Sequence, residues 1–202
     1  MRDAGGRLRH PRGADTASAI LDVAERLVQQ RGFNGFSYAD VARELGITKA
    51  ALHYHFPGKA ELGERLVRRY GERFAEALRA IDDGPATAAD RLAAYCEVYR
   101  RVLLEGRMCL CGMLAADYDT LAEPMRAAVV GFFEQNEAWV AGLLEGGRTD
   151  GSLVVTTPAL DAARTVIAAL EGAMLVARPF ETAAVFDAVV GRLLADFVPG
   201  AA

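Results

Sequence analysis

Between Ser37 and Lys59 the chain reads SYADVARELGITKAALHYHFPGK, a pattern that demands two short helices joined by a tight turn. Ser37 with Asp40 three residues on is a helix-start signal in which each side chain satisfies a free backbone amide. Val41, Ala42 and Leu45 give the helix one apolar face. Gly46 then supplies the left-handed conformation that stops it. Thr48 caps a second helix over residues 49–56, which Pro57-Gly58 ends. Only Leu52 and Phe56, four apart, need to face inward. Lys49, His53 and Tyr54 lie on other faces and offer a cation, an imidazole and a phenol to a groove. Such a unit has the geometry that reads duplex DNA.

The run from Gly46 through Ile47, Thr48, Lys49, Ala50, Ala51, Leu52, His53, Tyr54, His55, Phe56 and Pro57 to Gly58 and Lys59 resembles the signature of the tetracycline-repressor (TetR) family of bacterial transcription regulators. The resemblance spans residues 16–64 and takes in Ile20-Leu21-Asp22-Val23-Ala24, the Gly32-Phe33 pair and Ser37-Tyr38. Beyond that stretch only the all-helical character is similar. The resemblance implies an all-α fold, with an N-terminal three-helix helix-turn-helix DNA-binding domain and a C-terminal helical ligand-binding and dimerisation domain. It also implies a homodimeric repressor that binds a palindromic double-stranded operator and is released by a small-molecule or thiol-reactive effector. On the family's pattern the amides and side chains at Ser37, Tyr38, Thr48, His55 and Lys59 contact phosphates. Lys49, Ala50, His53 and Tyr54 approach bases or the adjacent backbone. His53 departs from the pattern, because relatives often carry an aromatic residue there. Plainer readings stand beside these: Lys49 and Lys59 as solvated cations, and His55 as a packed ring.

The 202 residues divide accordingly into a basic arm (residues 1–15), the DNA-binding headpiece (16–60) and the effector and dimerisation domain (61–202). The net charge of −4 argues against a protein that coats nucleic acid, but that charge is unevenly spread. Residues 1–68 carry 11 basic against 8 acidic side chains, and residues 69–202 carry 12 against 19, so the basic share lies at the DNA end. Arg2, Arg7, Arg9 and Arg12, set among Gly and Pro, form an arm suited either to tracking phosphates or to no role at all. No run approaches the roughly 20 apolar residues of a membrane span, and no apolar core follows the N-terminal arginines, so a cytoplasmic protein is expected. Three cysteines suit reduced thiols rather than a disulfide framework. No cofactor is expected. The chain lacks a G-x-S-x-G elbow, a P-loop, an H-E-x-x-H pair and a dinucleotide fingerprint, which sets an enzyme aside. A helical small-molecule-binding adaptor that keeps a vestigial headpiece remains the alternative.

The rest reads as a string of helices. The first spans residues 16–31, with Ile20, Ala24 and Leu27 inward and Gly32 at its end. From Lys59, the recurrence of Leu62, Leu66, Tyr70, Phe74 and Leu78 every four residues describes a long amphipathic connector that breaks at Asp82-Asp83-Gly84-Pro85. Thr87 and Asp90 open another helix, with Leu92, Tyr95, Cys96, Tyr99, Val102 and Leu103 inward. A short segment covers residues 108–117. Pro124 suits the first turn of the next helix, which runs to Glu145 and exits through Gly146-Gly147 and Asp150-Gly151. Two helices finish the chain, over residues 158–177 and 181–198. Their wide apolar arcs suit either an internal core or half of a four-helix interface with a second copy. The only strand candidate, residues 153–157, has nothing to pair with.

Polar residues set among these apolar stripes mark where an effector would be sensed: Asn136, Glu171 and Arg178. Such groups either hydrogen-bond internally or orient a ligand among Tyr95, Tyr99, Met113, Phe133, Trp139 and Met174. Cys109 and Cys111 are either inert buried thiols or a sensor of oxidants or electrophiles, with Arg107 near enough in sequence to lower a thiol pKa. Positions two apart on a helix face away from each other, so the pair would not readily bridge. A metal site is the weakest reading, because only three cysteines exist and His53 and His55 lie in the DNA motif.

Overall fold

The computed structural model describes residues 13–84 and 87–198. The four arginines of the basic arm, and Pro85, lie outside the described residues. Nine α-helices are found among the described residues: α1 (Gly13–Arg31), α2 (Tyr38–Leu45), α3 (Lys49–His55), α4 (Lys59–Asp82), α5 (Ala88–Leu104), α6 (Leu110–Ala116), α7 (Glu123–Asp150), α8 (Ala159–Ala177) and α9 (Ala184–Phe197). The expected all-α architecture is present.

Helices α1 to α3 close over Ile20, Leu27, Phe36, Val41, Leu52 and Phe56, and the first turns of α4 complete this headpiece core with Leu62 and Leu66. At 1.5 Å per residue the 24-residue α4 is about 36 Å long. Its later stripe, Tyr70, Phe74 and Leu78, enters the C-terminal bundle, so one rigid element spans both halves. The α7–α8 and α8–α9 contacts are the most extensive in the molecule. An ion-pair cluster also joins α1 to α4. Buried Glu25 accepts from Arg69 (3.2 Å) and from Arg73, and Arg69 also reaches Asp22 at 2.7 Å.

Two boundaries differ from expectation. Helix α7 does not exit at Gly146-Gly147 but continues to Asp150, where Gly151 at φ 79° stops it. Gly147 serves close packing instead: a Cβ there would lie 2.6 Å from Leu153 Cδ1 and 2.8 Å from the Ala88 Cβ. At the other end, α9 starts at Ala184 rather than at 181. A 3-10 turn over Arg178–Phe180 leads into Glu181 at φ 51°, a left-handed residue that cannot begin an α-helix. Residues 153–157 form no strand; Val154 N donates instead to Phe197 O (2.7 Å).

Candidate nucleic-acid interface and effector site

The helix-turn-helix is built as its sequence demands. Ser37 caps α2 with a complete capping box: Ser37 N donates to Asp40 Oδ2 (2.8 Å) and Asp40 N to Ser37 Oγ (3.4 Å). Those bonds from Ser37, with Arg43 alongside, hold the Asp40 carboxyl down at about 2. Gly46 adopts φ 65° and turns the chain. Thr48 Oγ1 accepts from Ala51 N (3.1 Å) to start α3. Leu52 is buried, whereas Lys49, Ala50, His53 and Tyr54 are exposed on one surface, Tyr54 at 84 %.

Half-buried Tyr38 supports that surface. Its hydroxyl donates to Phe56 O (3.0 Å), and its ring lies 4.9 Å from that of His53. Burial, with Glu61 nearby, pushes the phenol up to about 12, so it remains a donor at any physiological pH. His53 Nδ1–H donates to Pro57 O (3.1 Å), since a carbonyl can only accept. His55 is half-buried, with its ring edge-on to Tyr54 at 5.2 Å.

Lys59 fits neither a solvated cation nor a simple phosphate arm. Its Nζ donates to Phe33 O (2.5 Å) and Phe36 O (2.6 Å) and sits over both phenyl rings, 4.7 and 4.2 Å from their centroids. Desolvation lowers its pKa. Two of three ammonium hydrogens therefore bind the loop between α1 and α2, leaving one for another acceptor.

The same loop is held from the C-terminal half by residues the sequence did not mark. Asp117, which ends α6, accepts at Oδ2 from Phe33 N (2.7 Å), and Thr120 Oγ1 accepts from Asn34 Nδ2 (2.8 Å). Met108 N donates to Gln29 O (3.2 Å), and Arg178 donates to Gln30 O. Arg178 and Met113, grouped from sequence with the effector residues, lie at this junction; Arg178 Nη1 is 3.8 Å from Met113 Sδ. Nothing in local sequence reveals Asp117, because its partner lies 84 positions away.

The remaining effector residues form two adjoining groups. Asn136, 1 % exposed, accepts from Tyr95 OH at Oδ1 (2.8 Å) and donates from Nδ2 to Tyr99 OH (2.9 Å), so its polar needs are met internally. Trp139 stacks obliquely 5.5 Å from Tyr95 and donates from Nε1 to Asp82 Oδ2 (2.9 Å). Phe133 is half-buried beside Phe132. In the second group Cys109 stands beside Glu171 and its sulfur accepts from Tyr70 OH (3.7 Å), and Met174 lies one turn along α8.

Cys109 and Cys111 are 2 % and 0 % exposed, and burial drives both thiols well above their ordinary value. Arg107 does not activate them, because it pairs with Glu105 and reaches Gln29 Oε1. Cys96 is core, its thiol pushed up to about 12 by burial. Among the described residues no helix is long and apolar enough to cross a membrane.

Residues 20–66 match the model described as bacterial regulatory proteins, tetR family. Residues 88–191, more than half of the chain, match the tetracyclin repressor-like C-terminal domain. The chain belongs to the TetR family. Over 180 residues, 83 % of this chain and 87 % of that one, it is 28 % identical to the HTH-type transcriptional repressor NemR of Escherichia coli K12. A TetR-family regulator from Agrobacterium tumefaciens superposes with a TM-score of 0.89 at 30 % identity, covering 93 % of this chain and all of the other. The fold alone is shared with AibR, solved with isovaleryl coenzyme A and operator DNA: TM-score 0.70, 19 % identity, 91 % and 98 % coverage. This TetR-family chain is thus a DNA-binding transcription regulator with a helix-turn-helix headpiece and a helical C-terminal body.

Proposed function

We propose that the chain acts as a homodimeric repressor, with α3 of each protomer entering the major groove of a palindromic operator and an effector in the C-terminal body releasing it. The observation that carries this reading is the face of α3: Lys49, Ala50, His53 and Tyr54 stand exposed together on a turn whose caps and packing hold it rigid. Tyr54, 84 % exposed, presents an aromatic face and a hydroxyl to whatever meets this surface. With Nδ1 spent on Pro57, neutral His53 offers Nε2 as an acceptor for an amino group of adenine or cytosine. Ser37, Tyr38, Thr48, His55 and the remaining ammonium hydrogen of Lys59 flank this face and suit phosphates.

The headpiece is assigned to residues 16–60 and the effector and dimerisation body to 61–202. Supporting a dimer through the last two helices, α8 exposes Ala168, Gly172, Leu175 and Val176 on one side, and α9 exposes Ala184, Ala188 and Gly191. Small residues of this kind let two helices from a second copy approach closely. Between a covalent and a non-covalent effector, the covered, protonated thiols favour the non-covalent one.

The test is fluorescence anisotropy of the purified protein on DNA flanking its own gene, across a salt series, with scrambled DNA as control and light scattering for mass. A palindrome bound by one dimer, about 10³-fold or more tighter than the control, is the expected result. Equal affinity for both DNAs, with a genome-wide site search also empty, would instead favour the adaptor.

A further inference from the structure

A half-buried carboxylate with one covered oxygen and no cation beside it points to the chemistry of the effector. Glu171 projects from α8 against the first turn of α6, so tightly that a Cβ on Gly112 would fall 2.2 Å from its Oε2. Its other oxygen, Oε1, is fully covered and has no hydrogen-bond partner. No Lys, Arg or His among the described residues pairs with it. The titratable groups that feel its charge are phenols and thiols: Tyr70, Tyr95, Tyr99, Cys109 and Cys111. An uncompensated acid in such a place is costly unless a partner arrives from outside.

The space for that partner is contracted but present. Cys109, which stands beside Glu171, also lines a void of about 10 Å³ bounded by the rings of Tyr70, Phe74 and Tyr99 and by Met174. That volume holds about one water. Phe74 lines a second space as well, an open groove of about 220 Å³ between α4 and α7 that Phe132, Asn136 and Trp139 also line. A rotation of Phe74 would join groove to void and leave aromatic faces around a channel leading to Cys109 and the carboxylate behind it. Aromatic faces and a carboxylate together select a positive charge.

We propose that the effector is an organic cation, a primary ammonium on a compact apolar body, with its charge on Glu171 and its body among Tyr70, Phe74 and Tyr99. This assignment rests on reading the C-terminal body as the sensing part. Burial holds the empty carboxyl up at about 7, so near pH 6 most of it carries a proton. Ammonium binding expels that proton: R–NH₃⁺ with Glu–COOH gives R–NH₃⁺ paired to Glu–COO⁻ plus one H⁺ released to buffer. The carboxylate touches α6 at Gly112, and α6 ends at Asp117 on the headpiece loop, so occupancy has a short path to the DNA-reading face.

The experiment is calorimetric titration at pH 6, in two buffers of different ionisation enthalpy, with primary amines from propylamine to 2-phenylethylamine. 2-Phenylethanol and 3-phenylpropionate serve as the neutral and anionic controls. The wild-type chain should bind an amine about tenfold or more tighter than the alcohol, with a buffer-dependent enthalpy that reports proton release. Glu171→Gln, which folds without a buried charge, should lose both the preference and the buffer dependence. Phe74→Leu, which opens the partition, should bind the amine faster. Equal binding of alcohol and amine, a preference that survives in Glu171→Gln, or no binding by any amine would overturn the proposal. Anisotropy on operator DNA without amine tests the regulator reading separately, so the two failures are distinguishable.

Discussion

Two lysines of the headpiece carry the same charge and do different work. Lys49 is exposed at the start of α3, whereas Lys59 is turned onto the carbonyls of Phe33 and Phe36. Lys49→Ala should leave the melting temperature nearly unchanged and reduce the slope of log affinity against log salt by about one, the loss of one phosphate contact. Lys59→Ala should reduce the slope as well and in addition cost about 2 kcal/mol of stability, because two carbonyls lose a charged donor; thermal melts beside the salt series separate the two effects. Glu171 gives a second test at this scale. Its folded value of about 7 lies above the ordinary 4.5, so between these values the folded chain keeps a proton that the unfolded chain has released. Stability should therefore fall as pH rises from about 4.5 through about 7 and then level off as far as this group is concerned. The neighbouring thiols and phenols are raised and stay protonated across that window. Denaturant melts of Glu171→Gln should lack that component.

Among the elements, the turn at Gly46 is the simplest to perturb. Nothing lies within 4 Å of a Cβ placed there, so Gly46→Ala meets no clash and pays only for its left-handed backbone, φ 65°. A loss of about 1 kcal/mol is expected in chemical denaturation, with α3 displaced enough to weaken operator binding. Removing Glu25 is a harsher test, because Arg69 would keep only Asp22 and Arg73 would lose its partner on α1; Glu25→Ala should cost about 2 kcal/mol and loosen α1 from α4. These elements were legible in sequence because their signals are local: a capping box spans three residues and an apolar stripe repeats every four. Gly146-Gly147 misled for the converse reason. The dipeptide reads as a loop, but Leu153 and Ala88 need the missing side chain at Gly147, and neither announces itself nearby. Lys59, Asp117 and Arg178 share that property, each finding its partner through tertiary packing. The Tyr95–Asn136–Tyr99 network was readable as polar residues on a buried stripe, yet only the fold shows that they satisfy one another.

For the molecule as a whole, the junction between body and headpiece decides whether an effector can be felt by DNA. Asp117→Ala would leave the Phe33 amide without its acceptor, and hydrogen exchange at Phe33 and Asn34 should accelerate about tenfold or more while the C-terminal helices stay protected. Unchanged exchange would show that the loop is held by Lys59 and packing alone. Asp117→Asn keeps an oxygen at the same place and should behave nearly as wild type. At this junction the body takes hold chiefly of main chain: Asp117 grips the amide of Phe33, while Met108 and Arg178 grip the carbonyls of Gln29 and Gln30, with the side chains of Asn34 and Gln29 held besides. A grip on peptide groups is indifferent to which side chains the headpiece carries. Headpieces of different operator preference should therefore be exchangeable onto this body with their responsiveness intact, and new DNA targets are open to drift on α3 without any rebuilding of the sensor.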